Sequence, residues 1–209
     1  MSPSSFANIV ARQINAIRCA TVKRVSKQVA SALLMALAWG CYGQQIPAGM
    51  AMHRLQAGSL DQDGWTEGNS TEGQFSARMP CLFNDFTSAD RSEDSKTAKT
   101  YTLGCLRADR KKFSVTRVRY RNPEVDSQYF FRRAETGVSW PDAKVVKLSY
   151  KGSPAVEVTI ADATKCGFVR LVHATPDNLL MITEAPKESC EGLAAMSRKF
   201  FESLHIGQR

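Results

Sequence analysis

A basic, acid-free leader running into a short apolar core constrains this chain more than any other feature. Arg12, Arg18, Lys23, Arg24 and Lys27 precede the eleven-residue apolar run Val29–Trp39, and the small residues Gly40, Cys41 and Gly43 follow it. Charge, apolar core and small-residue exit in that order predict a secretory signal peptide over residues 1–43. An apolar core of this length falls well short of the roughly twenty residues that span a bilayer. No later segment comes closer, so the mature chain is expected to carry no transmembrane segment. Export to the periplasm or cell envelope places the downstream cysteines where disulfides form and persist.

Two exits from the leader compete. Cleavage after Gly43 leaves Gln44 as the new N-terminus. Lipidation of Cys41 would instead give the mature protein a lipid anchor, turning a freely diffusing domain into a tethered one. The residues before Cys41 are Ala38, Trp39 and Gly40. A lipoprotein box asks for an aliphatic residue and then a small one at the first two of these, so plain cleavage is favoured.

The leader also accounts for most of the formal charge of +8. It holds five basic and no acidic side chains, which leaves 23 basic against 20 acidic residues, or about +3. No clustered basic motif of a nucleic-acid binder is present, and export argues further against that class. The 166 residues after Gly43 suit one domain with a single core.

Residues 44–64 are polar with no sustained period and read as a flexible linker, so the domain is placed at 65–206. Phe75, Ala77 and Met79 alternate with polar residues and predict a strand over 73–79, ended by Pro80. Residues 85–98 are polar and charged and read as a surface loop. Strands are expected over 99–107 and 112–120. In the second, Phe113 and Val115 fall on one parity and Val118 and Tyr120 on the other, so a bulge is expected near Arg117. Asn122-Pro123 and Gly137 bracket an expected helix at 124–136. Strands over 143–150 and 155–161 flank the turn-rich Lys151-Gly152-Ser153-Pro154, and strands over 166–174 and 179–184 flank Thr175-Pro176-Asp177-Asn178. Both read as hairpins. Leu193, Met196, Phe200 and Leu204 recur at helical spacing and predict an amphipathic C-terminal helix over 189–204, with Ser189 as N-cap. The expected fold class is α+β, a mainly antiparallel sheet flanked by helices with the C-terminal helix packed on it. Its core is expected to include Phe75, Leu103, Phe113, Val146, Leu148, Val156, Val158, Phe168 and Leu171.

Cys19 lies in the leader and Cys41 at its exit. Cys81, Cys105, Cys166 and Cys190 remain, an even set with three pairings open to it. Cys166 opens the first strand of the second hairpin and Cys190 lies just past the end of its partner strand. Those two ends are adjacent in an antiparallel hairpin, so Cys166–Cys190 is expected, and Cys81–Cys105 follows by elimination. No C-x-x-C occurs, which argues against a zinc ribbon.

The sequence offers little catalytic chemistry. His53, His173 and His205 show no metal spacing, and His173, between Val172 and Ala174, reads as a partly buried sheet residue. There is no G-x-S-x-G, P-loop or dinucleotide fingerprint, so no cofactor, metal or catalytic residue is assigned. Arg110, Lys111 and Lys112 crowd one turn, and Arg117, Arg119 and Arg121 alternate along the strand that follows. If the protein has an anionic partner, these six residues are the expected surface. A solvated, edge-blocking sheet face is the competing explanation. Asn69-Ser70-Thr71 matches a glycosylation acceptor, which matters only in a eukaryotic source.

Trp65, the run Ser70-Thr71-Glu72-Gly73-Gln74-Phe75-Ser76 and the strand end Met79-Pro80 resemble the opening of secreted bacterial domains of the PsbP/Mog1-like type. The hairpin through Gly152 and Ala155–Ile160 is also similar, as is the closing segment Met196–Ile206 with Phe200-Phe201-Glu202-Ser203-Leu204. The resemblance implies an antiparallel sheet flanked by helices and a non-enzymatic accessory or assembly role, and it transfers no catalytic residue. The functional expectation is an exported, non-catalytic domain that binds a protein or an envelope component. The alternative is a secreted hydrolase whose site assembles only in space.

Overall fold

Alternating apolar residues commit much of the described chain to strands, and two helices among the described residues cover the faces those strands leave open. The computed structural model describes residues 49–90, 95–137 and 143–207. The leader, Cys41 and residues 44–48 lie outside them. Among the described residues there are eleven strands: β1 (Met50–Ala57), β2 (Thr66–Asn69), β3 (Phe75–Met79), β4 (Phe83–Ala89), β5 (Thr97–Leu106), β6 (Lys112–Tyr120), β7 (Lys144–Tyr150), β8 (Ser153–Ala161), β9 (Lys165–Ala174), β10 (Asp177–Pro186) and β11 (His205–Ile206). Eight form one antiparallel sheet in the order β1-β4-β5-β6-β10-β9-β8-β7, and β11-β3-β2 form a smaller one.

Helix α1 spans Pro123–Glu135. It begins on a proline, carries Glu124 and Asp126 in its first turn and Arg132 and Arg133 in its last, and is followed by Gly137 at φ 72°. Each choice suits the exposed backbone groups and dipole at that end. Helix α2 spans Leu193–Glu202. It starts four residues later than the sequence suggested, because Gly192 adopts φ 71° and Lys187–Ser189 forms a separate 3₁₀ turn.

The main sheet is covered on both faces. On one, Leu103, Phe113, Val115, Val172, Leu179 and Met181 pack with Phe200, Phe201 and Leu204 and with Phe75, Ala77 and Met79 of the small sheet. On the other, Val118, Tyr120, Val156, Val158, Val169, Leu171 and Leu180 are buried, and α1 supplies Phe130, Phe131 and Ala134. This double cover explains the parity change in β6 without a bulge. Its register with β5 and β10 runs unbroken through Arg117. Phe113 and Val115 face one layer, and Val118 and Tyr120 face the other. A sheet with one short helix on each face is more sheet-dominated than the expectation of flanking helices.

Three expectations are corrected here. Met50–Ala57 is no linker: it is a sheet strand paired with β4. Phe83–Ala89 is a strand, so the polar segment from Asp85 to Ala89 is no loop. Val146 is 46% exposed, because β7 is the sheet edge, and it does not belong to the core. Both expected disulfides form, Cys81–Cys105 and Cys166–Cys190, with Cα–Cα distances of 5.9 and 6.0 Å.

Candidate functional site

Two hairpin tips and the C-terminal strand converge at one end of the main sheet and leave an open groove of about 740 Å³. The β7–β8 turn supplies Tyr150 to Pro154, the β9–β10 turn supplies His173 to Pro176, β11 and Gly207 form the opposite wall, and Arg117 lies beneath. The turns are shaped by the backbone. Lys151 and Gly152 adopt φ 48° and 84°, the paired left-handed conformation of a type I′ hairpin.

Arg117 is the buried charge of this site, only 4% exposed. Its Nε donates to Asp177 Oδ2 at 2.7 Å and its Nη1 to the Gly73 carbonyl at 3.0 Å. That second contact explains Gly73. A Cβ there would lie 2.4 Å from the Phe75 ring and 2.8 Å from Tyr101 Cβ, so the backbone can approach the sheet only without a side chain.

His173 sits in a fixed chain of donors and acceptors. Asn178 Nδ2 donates to Tyr120 Oη and to the Ser127 carbonyl, both at 2.9 Å, which leaves Asn178 Oδ1 to accept from His173 Nδ1 at 2.8 Å. Neutral His173 therefore carries its proton on Nδ1, and Nε2 faces the Thr175 hydroxyl at 3.3 Å as acceptor. Its ring stacks on Phe131 of α1 at 5.2 Å. Burial pushes the Tyr120 phenol well above its ordinary range.

Under the other wall, Arg170 links β9 to β8 and α2. It contacts Glu157 at 2.8 Å and Glu202 at 2.7 Å and lies over the Tyr150 and Phe201 rings. Tyr150 Oη donates to the Leu204 carbonyl at 2.9 Å, and Lys151 Nζ donates to the same oxygen at 2.7 Å. Burial, reinforced by the Glu202 charge, raises the Tyr150 phenol from 10.0 to about 12. A raised folded value means that this stability is fully present below pH 10 and is lost as pH rises toward 12. Thermal melts across that window should show wild type losing more stability than Tyr150→Phe; parallel curves would contradict the burial of this hydroxyl.

The six basic residues singled out in the sequence do not form one exposed stripe. Arg117 is interior, because the small sheet and Gly73 cover β6 at that point. Arg119 is partly exposed, over the Tyr101 ring at 5.3 Å and 4.0 Å from Asp177 Oδ1. Arg121 lies past the strand end and donates to the Asp90 carbonyl at 2.9 Å. Arg110 pairs with Glu188, Lys111 with Asp109 at 2.9 Å, and Lys112 with Glu184 at 3.1 Å.

Asp85 is a fully buried carboxylate that no motif in the sequence marks. Asp85 accepts from the backbone N–H and hydroxyl of Thr71 at 2.8 and 2.5 Å, with Arg54 3.5 Å away. The acceptor-like Asn69-Ser70-Thr71 is thus engaged in holding β2 to β4. Among the described residues, no group of three or more His, Cys, Asp or Glu side chains is placed to hold a metal ion. Likewise no described helix is long and apolar enough to cross a membrane.

The sequence matches no family model and no curated protein. The fold has a distant structural resemblance to cyanobacterial PsbP. The solution structure of that protein (CyanoP) from Synechocystis sp. PCC 6803 is 9% identical, with a TM-score of 0.44, over 72% of this chain and 96% of that one. No site residue is carried across from it.

Proposed function

We propose that this chain is an exported, non-catalytic domain that binds a protein or an envelope component through the groove at the hairpin end of its sheet. One observation carries the reading: the groove is broad and open, while its charged side chains are already engaged within the protein, Arg117 by Asp177 and Lys151 by the Leu204 carbonyl. With those charges engaged, such a surface offers a partner mainly shape and turn backbone. The two disulfides fit a periplasmic or envelope location, and a signal peptide over 1–43, with cleavage after Gly43 or a lipid at Cys41, would deliver it there.

Photo-crosslinking in intact cells tests this. A crosslinking side chain at Ser153 or Thr175 is expected to trap a discrete partner, and one at Gln128 on α1 is not. Filling the groove with Thr175→Trp should abolish the product. Equal trapping from all three positions, or none from the groove, would overturn the reading.

One observation favours a second reading, hydrolysis in the same groove. Thr175 Oγ1, His173 Nε2 and Asn178 form a hydroxyl–imidazole–amide relay, the order in which a base and its orienting group activate a nucleophile. Ester turnover by the wild type that is lost in both Thr175→Ala and His173→Gln would establish it.

A further inference from the structure

The two edges of the main sheet are defended differently. Strand β1 carries two register shifts against β4, and bulges of this kind twist an edge away from further pairing. Strand β7 has none: its seven residues pair with β8 without interruption from Lys144↔Thr159 to Tyr150↔Ser153. The type I′ turn makes Tyr150 and Ser153 the hydrogen-bonded pair that closes the hairpin. Hydrogen-bonded pairs alternate along an antiparallel ladder. Val145, Lys147 and Ser149 therefore direct their backbone N–H and C=O groups outward, away from β8. Pro154, opposite Ser149, has no N–H to give, as that phase requires.

We propose that the β7 edge is a docking site for an extended, acidic segment of another protein, which adds to the sheet as a ninth strand. The backbone supplies three outward residues for pairing, and the side chains state the partner's chemistry. Lys144 and Lys147 are exposed on opposite faces of the strand, and Val146 between them is 46% exposed. Lys147 Nζ lies 3.8 Å from Glu135 Oε1 of α1, a solvent-exposed pair weak enough to exchange for an incoming carboxylate. An incoming strand therefore meets a cation on each face and one apolar contact. Glutamate or aspartate opposite the lysines and a β-branched residue opposite Val146 satisfy all three. Lysine at an edge normally discourages pairing, and here it selects by charge. A second copy of this chain fits poorly, because centring β7 on itself sets Lys147 directly opposite Lys147 and offers Lys144 no carboxylate. The site is separate from the groove and does not depend on what the groove binds.

The probe is a fluorescent seven-residue peptide, Thr-Thr-Thr-Glu-Val-Thr-Glu, which in antiparallel register sets glutamate opposite Lys147 and Lys144 and valine opposite Val146, titrated into the exported protein beside the same peptide with lysine in place of glutamate. The acidic peptide should bind and the basic one should not. Lys144→Glu combined with Lys147→Glu should weaken the acidic peptide by about tenfold or more and admit the basic one. Ser149→Pro removes an outward N–H and no ladder bond. It should weaken the acidic peptide similarly while the melting temperature stays within the scatter of wild type. The proposal is overturned if the acidic peptide fails to bind or if charge reversal leaves its affinity unchanged. It is equally overturned if Ser149→Pro binds like wild type, since attraction would then act without strand pairing, or if wild type dimerises through β7.

Discussion

Arg117→Ala is expected to cost about 3–5 kcal/mol, the usual consequence of breaking a buried ion pair and leaving its partner charged in the interior. Asp177 is fully buried. Its carboxylate would lose the guanidinium 2.7 Å away, and the Gly73 carbonyl would lose its Nη1 donor. For a domain of this size, that lowers the melting temperature by on the order of 10 °C. Arg119→Glu, two residues along the same face, should do far less, because that side chain is 40% exposed and screened by solvent. Thermal or urea melts of the two variants decide the matter. Equal, small losses would mean that Arg117 is not interior. Replacing the pair together, Arg117→Met with Asp177→Leu, should recover much of the loss, since it removes both charges.

Removing the Cys166–Cys190 bond with paired serines should cost about 3 kcal/mol on the loop-entropy account. The bond closes 24 residues and fastens the segment before α2 to the start of β9. Without it, α2 keeps its apolar contacts through Leu193, Phe200 and Phe201 but hangs from a freer connection. Denaturant melts of the oxidised protein and the serine variant measure the difference. Coincident curves would show that the helix is held by packing alone.

The antiparallel hairpins were legible in the sequence because their strands alternate and their turns carry Gly and Pro. The expected 112–120 strand matches β6, and the two hairpin turns fall where they were read. The missed strands have physical reasons. The β1 register shifts break its period, and as an edge it exposes residues such as Leu55, 58% exposed. Strand β4 buries Asn84 and Asp85, so its interior looks like a loop in composition. Only the tertiary contacts from Thr71 and Arg54 make a buried aspartate tolerable there. Arg117 was misplaced because alternation tells which face a side chain occupies, and not what lies over that face. The groove was not legible either, since His173, Ile206 and Arg117 lie far apart in the chain and meet only through the strand order.

Each disulfide joins cysteines that are consecutive along the folded domain, and neither crosses the seam where β6 meets β10. Within the hydrogen-bonded ladder of the main sheet, that seam is where the β1-β4-β5-β6 half meets the β10-β9-β8-β7 half. On the proposed export route, a chain threading through a membrane N-terminus first would present Cys81 and Cys105 well before Cys166 and Cys190. The first pair can close while its future sheet partners are still on the far side, and the second then has only its own mate to find. Of the three pairings open to four cysteines, the sequential one asks least of a disulfide isomerase. It leaves the long-range docking of the two halves to the noncovalent core.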